Sequence, residues 1–450
     1  MSGHSILEMI RAWSEKAPEH EAVIFQSSAM TLERLTYSEL QQRVDERTQL
    51  FTELPPQSRV GLIAPHGPGF LMEALAILAA GHCLVPIGEN LSGNERNELA
   101  VRAGIHALRD ISRPGYAAYP ENSIDGRSDE DFRALEPAYL RFTSGSTGPR
   151  KGVLLGHPTI LERTAAANVR LKISPSDRVL CLLPMVDHFV VSILLYLRYG
   201  ATVLLSAEDV ASPEFAGTGK ATVLYGSPAQ YRHFTQPLPH VRLAVSTTQG
   251  LSTALAKTFL SQTGKPLTQA LGIIEAGLLT LNETDAATDP LLAGRPMPDY
   301  QISIVGEKGC PGEIHVSGPG LLDAYVSPWR IRSSLLLENK FPTGDFGRLE
   351  PDGCLRLVGR KPNRLLLGGQ TVFYEEIEAL INQHPAVQES MVYQEKEMLV
   401  AEVVALKNLD DLQALTAAIR MQLASFSKPI DLRLVDSLPY TATGKLARPS

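Results

Sequence analysis

The stretch YLRFTSGSTGPRKGVLL (139–155) joins two apolar, strand-like runs through a loop of glycine, hydroxyl residues and lysine. Thr143, Ser144, Gly145, Ser146, Thr147, Gly148, Lys151 and Gly152 all fall in this loop. Glycines let a backbone approach a polyanion closely, and hydroxyls with backbone N–H groups supply donors. Lys151 adds a positive charge. A plain polar hairpin turn accounts for two or three of these residues but not for the whole set closing on a lysine. The spacing does not match the G-x-x-x-x-G-K-[ST] loop of other nucleotide-binding proteins. The stretch reads as a phosphate-binding loop held between strands.

The flanking sequence repeats one rhythm. SRVGLIA (58–64) reads as a buried strand, FLMEALAILAAG as a helix ending near Gly81, and HCLVPI (82–87) as the next strand. RVLCLLPM, a helix over SILLYLRYG and then ATVLLS repeat it at 178–206, while ERLTYSELQQRVDERTQLFTEL (33–54) has helical spacing that Thr36 helps to start. Strand–helix–strand alternation predicts an α/β fold with parallel-type sheets covered by helices. After about residue 290 short alternating strands separated by Gly and Pro predict a small antiparallel, barrel-like sheet. EEIEALINQH, MLVAEVVAL and DDLQALTAAIRMQLA then predict a small α+β domain. The boundary expected near Gly359–Pro362 divides the chain into 1–360 and 361–450.

Composition narrows the function class. The 450 residues are 44% hydrophobic and 20% charged with net charge −7, which suits a globular enzyme and disfavours a nucleic-acid binder. Cys83, Cys181, Cys310 and Cys354 lie far apart with no CxxC pair, so buried free thiols are expected, with neither a zinc site nor a disulfide framework. Charges interrupt the N-terminal segment and both of the most apolar stretches, so neither a signal peptide nor a membrane span is expected, and the expected location is cytoplasmic.

With these motifs in hand, the chain resembles the adenylate-forming enzymes: acyl- and aryl-CoA synthetases, peptide-synthetase adenylation domains and luciferases. TSGSTGPRKG is similar to the family loop T-S-G-[ST]-T-G-x-P-K-G, with Arg150 in place of the proline before Lys151. AGRPMPDYQISIV (293–305), GEIHVSGPGLLDAY (312–325), PTGDFGRLEPDGCLRLVGR (342–360) and LPYTATGKLAR (438–448) follow in the family's order. The resemblance covers nearly the whole chain. It implies a large adenylation domain (1–360) followed by a small mobile domain (361–450).

It also implies an AMP-forming acid–thiol ligase. ATP activates a carboxylic acid, acyl or aryl in preference to amino, as an acyl-adenylate. A pantetheine thiol of CoA or of a separate carrier protein then accepts the acyl group. In this reading the loop at 143–152 holds the β- and γ-phosphates, and Asp345 takes the ribose hydroxyls with Arg360 nearby. Lys445 bridges the carboxylate and the α-phosphate. The segment LGIIEAG (271–277) places Gly272 beside the nucleotide and gives Glu275, with Thr147, to Mg²⁺. His188 aligns with a ligase histidine near the acid, although a purely structural role remains open for it. A homodimer stands among the expected partners; nucleic acid and membrane do not.

Four departures point the other way. Leu271 replaces the usual adenine-packing aromatic, Ile274 a threonine, and Pro362 and Leu366 the usual hinge Asp and Lys, while Gly368 and Gly369 survive. Proline fixes φ near −65°, which restricts a hinge. A degenerate homologue that binds nucleotide or acyl ligand without turnover therefore stands as the alternative. An amino-acid-activating domain is the other variant of the enzyme reading.

Overall fold

The computed structural model describes residues 5–119, 124, 129–143, 150–207, 213–283, 289–307, 310–367, 370–384, 386–396, 398–405, 412–422, 430–440 and 446–449. The backbone divides into two units: Met1–Tyr225 with Ile273–Leu278 and Gly318–Asn339, and Gly226–Gly272 with Leu279–Ser317 and Lys340–Ser450.

The first unit carries two parallel-type sheets. In one, Arg59–Ile63 lies between Cys83–Pro86 and Ala107–Asp110, both parallel to it, and Cys83–Pro86 pairs in parallel with Pro137–Phe142. Antiparallel Gly152–Gly156 and Ala324–Val326 extend this sheet beyond Pro137–Phe142. In the other sheet Arg178–Cys181, Thr202–Ser206 and Glu21–Gln26 run parallel, and Leu32–Thr36 closes the edge antiparallel. The strands Arg59–Ile63 and Cys83–Pro86 are buried at every position, as expected of sheets covered on both faces. The helix Pro68–Ala79 is buried almost all round, and Gly81 follows it at φ 78°.

Helix starts follow the local chemistry. Thr36 accepts from the backbone N–H of Glu39 while the Glu39 carboxylate accepts from Thr36 N–H, so the helix is Tyr37–Thr48. The same reciprocal cap starts Ile6–Lys16 at Ser5 and Gly93–Ala103 at Ser92. The helix expected over SILLYLRYG is broken up. A short turn Met185–His188 passes into a π-helical segment Phe189–Leu194 and then Leu195–Arg198. Such wide turns collect at functional sites.

The second unit combines a parallel pair, Leu243–Ser246 with Leu267–Ile273, and an antiparallel array through Leu292–Pro296, Leu355–Arg360, Phe341–Leu349, Gly312–Ser317 and Gln301–Val305. The antiparallel strands expected after residue 290 are these. A hairpin of Arg364–Leu367 with Gln370–Phe373 leads into the helix Tyr374–Ile381. A three-stranded sheet of Val387–Glu395, Met398–Ala405 and Ile430–Leu434 packs its core residues Val392, Leu399 and Ala401 with Ile377, Ile381 and Ile419. All four cysteines are free; Cys83, Cys181 and Cys354 are buried, but Cys310 is exposed, because Gly306 and Pro311 put it in a surface turn and not on a strand. No helix among the described residues is long and apolar enough to cross a membrane.

Candidate active site

In the first unit the phosphate-loop stretch is the connection of an antiparallel strand pair, with Phe142 opposite Gly152. Thr143 and Lys151 close its neck. Thr143 N–H donates to Lys151 O at 2.9 Å, and Lys151 N–H donates to Thr143 Oγ1 at 3.2 Å. Arg102 reaches the Arg150 carbonyl and so holds the same end of the loop. Ser144, Gly145, Ser146, Thr147 and Gly148 lie outside the described residues.

Tyr325, on the neighbouring strand Ala324–Val326, joins this neck to Glu275. The Lys151 ammonium sits 5.1 Å from the centroid of the Tyr325 ring. The Tyr325 hydroxyl donates to Glu275 Oε1 at 2.8 Å. Burial, with the Glu275 charge next to it, pushes the Tyr325 phenol well above its ordinary pKa, so it remains a donor. A lysine cation and a carboxylate thus meet on one aromatic side chain.

The backbone around Glu275 is fixed by Arg163. This almost fully buried arginine donates to Ile274 O at 2.8 Å, to Glu275 O at 3.3 Å and to Gly320 O at 3.1 Å. Leu322 N–H also donates to Glu275 O at 2.7 Å. Gly320 is at φ +70°, and a Cβ there would meet the Arg163 backbone at 2.9 Å, so glycine is required for this close approach. Glu275 is half-buried, and among the described residues no donor reaches its second oxygen. One available carboxylate oxygen fits Mg²⁺, which binds through one or two carboxylates and substrate phosphates while keeping several waters.

His188 is half-buried at the start of the π-helical segment and meets the ring of Tyr225 edge-on at 5.9 Å. The Ser192 hydroxyl donates to its carbonyl. Asp187 beside it is taken: Arg141 Nη2 donates to Asp187 Oδ1 at 2.7 Å, and Nη1 to the Asp187 carbonyl. That pair ties the strand entering the phosphate loop to the His188 turn.

In the second unit Asp345 and Arg360 face each other in register on antiparallel strands. Arg360 Nε donates to Asp345 Oδ1 at 2.7 Å, and Asp345 N–H donates to Thr343 Oγ1 at 3.1 Å. Asp345 is 5% exposed, so its carboxylate is oriented before any ligand arrives. Leu271, half-buried, and Gly272, exposed, lie just before the end of the strand Leu267–Ile273.

Pro362 lies in a single 3₁₀ turn, Lys361–Asn363, between the strand ending at Arg360 and the hairpin. Gly359 passes so close to the next helix that a Cβ would sit 2.5 Å from Phe373 Cβ and from Glu375 Oε2. Asn363 donates to Glu375 Oε1 across this turn. Gly368 and Gly369 lie outside the described residues.

Lys445 also lies outside them, but Tyr440 before it and residues 446–449 after it are described. Tyr440 bridges to Leu446, and Ala447 N–H donates to Pro439 O at 2.9 Å. Arg448 Nη2 donates to both oxygens of Glu378, at 2.7 and 2.9 Å, and Arg448 Nε to Val392 O at 3.0 Å. On the other side Glu389 accepts from the Tyr440 hydroxyl and from Arg232, the latter at 3.0 and 2.5 Å. Desolvation pushes the Glu378 carboxyl up to about 7 against the pull of Arg448.

Sequence reading missed several of these residues. Tyr325 and Arg448 were visible as the last letters of two motifs, without a role. Arg163, Glu378 and Arg232 stand in no motif, and only long-range packing gives them partners.

The model of the "AMP-binding enzyme" family matches residues 10–326, and that of the "AMP-binding enzyme C-terminal domain" matches 376–445. A Mycobacterium tuberculosis protein, "3-[(3aS,4S,7aS)-7a-methyl-1,5-dioxo-octahydro-1H-inden-4-yl]propanoyl:CoA ligase", is 26% identical over 96% of this chain and 95% of its own length. Bacitracin synthase 3 of Bacillus licheniformis is 25% identical over 99% of this chain, but that match spans 8% of the larger protein. In fold, the chain is similar to ATP-bound MatB from Rhodopseudomonas palustris, with a TM-score of 0.82 at 21% identity over 99% of this chain and 97% of the other. The expectation of an AMP-forming acid–thiol ligase agrees with relatives named as CoA ligases. The chain belongs to the AMP-binding, adenylate-forming enzyme family.

Proposed function

We propose that this chain activates an acyl or aryl carboxylic acid with ATP and passes the acyl group to a pantetheine thiol, with 1–360 as the adenylating part and 361–450 as the part that delivers Lys445. The observation that carries the reading is the convergence of Lys151 and Glu275 on Tyr325. ATP needs a cation for its phosphates and a carboxylate for the accompanying Mg²⁺, and this chain offers both on one fixed side chain.

The chemistry runs in two displacements. A carboxylate oxygen attacks the α-phosphorus, the bond to the bridging oxygen breaks, and pyrophosphate leaves. The thiol gives up its proton to solvent, its sulfur then attacks the acyl carbon, and AMP leaves with the electron pair. Bound Mg²⁺ supplies charge neutralisation on the phosphate oxygens. Lys151 and the loop hydroxyls of 143–148 hold the outer phosphates. Asp345, set by Arg360 and Thr343, accepts from the ribose hydroxyls. Lys445 neutralises the charge that builds as two anions meet, which is electrostatic stabilisation. His188, held against Tyr225, borders the acid.

The pairing of Asp187 with Arg141 supports an acyl or aryl acid over an amino acid, since an α-ammonium group needs a carboxylate whose charge is not already balanced by an arginine. CoA is the acceptor we favour over a carrier protein, because relatives matched over nearly their whole length are named as a CoA ligase and a CoA synthase. The second reading, a binding protein without turnover, is motivated by Leu271, Ile274, Pro362 and Leu366. Incubation with ATP, Mg²⁺, CoA and a panel of acids separates them. The expected products are acyl-CoA and AMP in equal amounts; ATP binding without AMP formation at any acid supports the second reading.

A further inference from the structure

The strand Leu243–Ser246 ends in a loop, Ser-Thr-Thr-Gln-Gly at 246–250, that leaves its polar side chains unsatisfied. Among the described residues of the second unit, four buried side-chain polar atoms have no hydrogen-bond partner. Three of them are Ser246 Oγ, Thr248 Oγ1 and Gln249 Oε1. Ser246 is wholly buried. Buried polar groups are normally paired, so three orphans within four residues call for an explanation.

The loop is not loose. Thr247 N–H donates to Gly226 O at 3.0 Å, and the Tyr231 hydroxyl donates to Val245 O at 2.7 Å. Leu251 N–H donates to Gln269 Oε1 at 3.3 Å, and Gln269 Nε2 donates to Pro290 O at 3.2 Å. Thr248 is held at φ +78°, a conformation rare for a β-branched residue. The backbone is therefore tied at both ends while the side chains between them wait for a partner. Their place is the carboxyl end of a parallel strand, with Ser246 in register with Gln269 on the strand that ends at Ile273. Ligands of open α/β sheets bind beyond such strand ends.

The chemistry of the loop selects the ligand group. The loop carries no charged residue, so a second carboxylate or an ammonium would have no counter-ion. A hydrocarbon would leave all three atoms unpaired. Two hydroxyls and one amide, whose oxygen and nitrogen can exchange places, both donate and accept. We infer that Ser246, Thr248 and Gln249 form a specificity site for a neutral hydrogen-bonding group, a hydroxyl, arylamine or amide, on the body of the acid. The inference rests on the ligase reading above and names the substrate class within it. The adenine amine is the competing source of the same chemistry.

Stable acyl-sulfamoyl adenosines test it without turnover. Calorimetry compares hydroxybenzoyl- with benzoyl-sulfamoyl adenosine, and a hydroxyacyl with the matching plain acyl compound. The hydroxylated member of at least one pair is expected to bind about 10²-fold or more tightly, since a site built to pair a hydroxyl rejects the analogue lacking it. Ser246→Ala and Gln249→Leu should each shrink that ratio about tenfold while ATP affinity holds. The Tm of apo Ser246→Ala should stay level or rise, because an unpaired buried hydroxyl is gone.

Equal affinities within both pairs, or failure of all four compounds to bind, would overturn the inference. So would a variant that weakens ATP and leaves the ratio intact, which assigns the loop to adenine. Discrimination between the analogues with no acyl-CoA formed from any acid keeps this site and removes the ligase reading.

Discussion

Tyr325 concentrates the residue-scale argument, because it serves two charged groups through different parts of one side chain. Its ring faces Lys151 and its hydroxyl holds Glu275. Tyr325→Phe separates them: the ring stays, and Glu275 loses its donor. Hydrogen bonds to charged groups are worth about 1.5–3 kcal/mol, so the Mg²⁺ concentration giving half-maximal adenylation should rise roughly tenfold or more. ATP affinity measured without Mg²⁺ should hold in Tyr325→Phe and fall in Tyr325→Leu. An unchanged Mg²⁺ dependence would remove the hydroxyl from this role. Thr143 and Lys151 could be picked out because they sit in one contiguous run of glycine, hydroxyl and lysine, whereas Asp345 and Arg360 were marked only by the resemblance of 342–360 to a family motif. The partners of Tyr325 and Arg163 were not legible, since they come from strands and loops far apart in the chain.

At the scale of elements, the described residues that follow Lys445 are anchored to the helix and sheet before them. Arg448 and Glu378 form a largely buried, doubly hydrogen-bonded pair that anchors 446–449 to the helix Tyr374–Ile381 and to Val392. Arg448→Ala leaves a buried carboxyl without its cation, and losing one member of a buried pair costs about 3–5 kcal/mol. Denaturant titration should show that loss, and Glu378→Gln in the same background should return part of it. Equal stability of Arg448→Ala and the parent would show the pair to be idle. The helix Tyr37–Thr48 was readable because its cap and its spacing lie within one short segment. The π-helical turn after His188 was not, because SILLYLRYG has ordinary helical spacing and the widening depends on what the segment packs against.

For the whole molecule, buried groups in the two units are shifted so that acid acts on them in opposite directions. His82 and His157 in the first unit are held below the usual imidazole pKa by burial. Burial favours their neutral form in the folded chain, so their contribution is present above pH 6.5 and is lost as the pH falls below it. Glu378 in the second unit is raised from 4.5 to about 7, and burial also raises Glu375 and Glu376. The Glu378 contribution is full below 4.5 and is lost as the pH rises through about 7, and those of Glu375 and Glu376 also fall as the pH rises. Hydrogen exchange, corrected for intrinsic rate, should show Pro68–Ala79 and His157–Leu171 losing protection from about pH 7 to about pH 5 while Tyr374–Ile381 gains it. Shifts of the same sign in both would contradict the assignment.

The alternation of strands and helices foretold the two parallel-type sheets, because buried strands announce themselves as short apolar runs. The pairing order that joins 324–326 to the phosphate-loop strands was hidden, because strand partners far apart in sequence leave no local signal. The central claim is that this fold adenylates a carboxylic acid with Lys445 at the reacting phosphate. ATP–pyrophosphate exchange over a panel of acids, in the parent and in Lys445→Ala, tests it most directly. Exchange with at least one acid, slowed about 10²–10³-fold in the variant, is the expected result; silence with every acid, or an equal rate in Lys445→Ala, would contradict it.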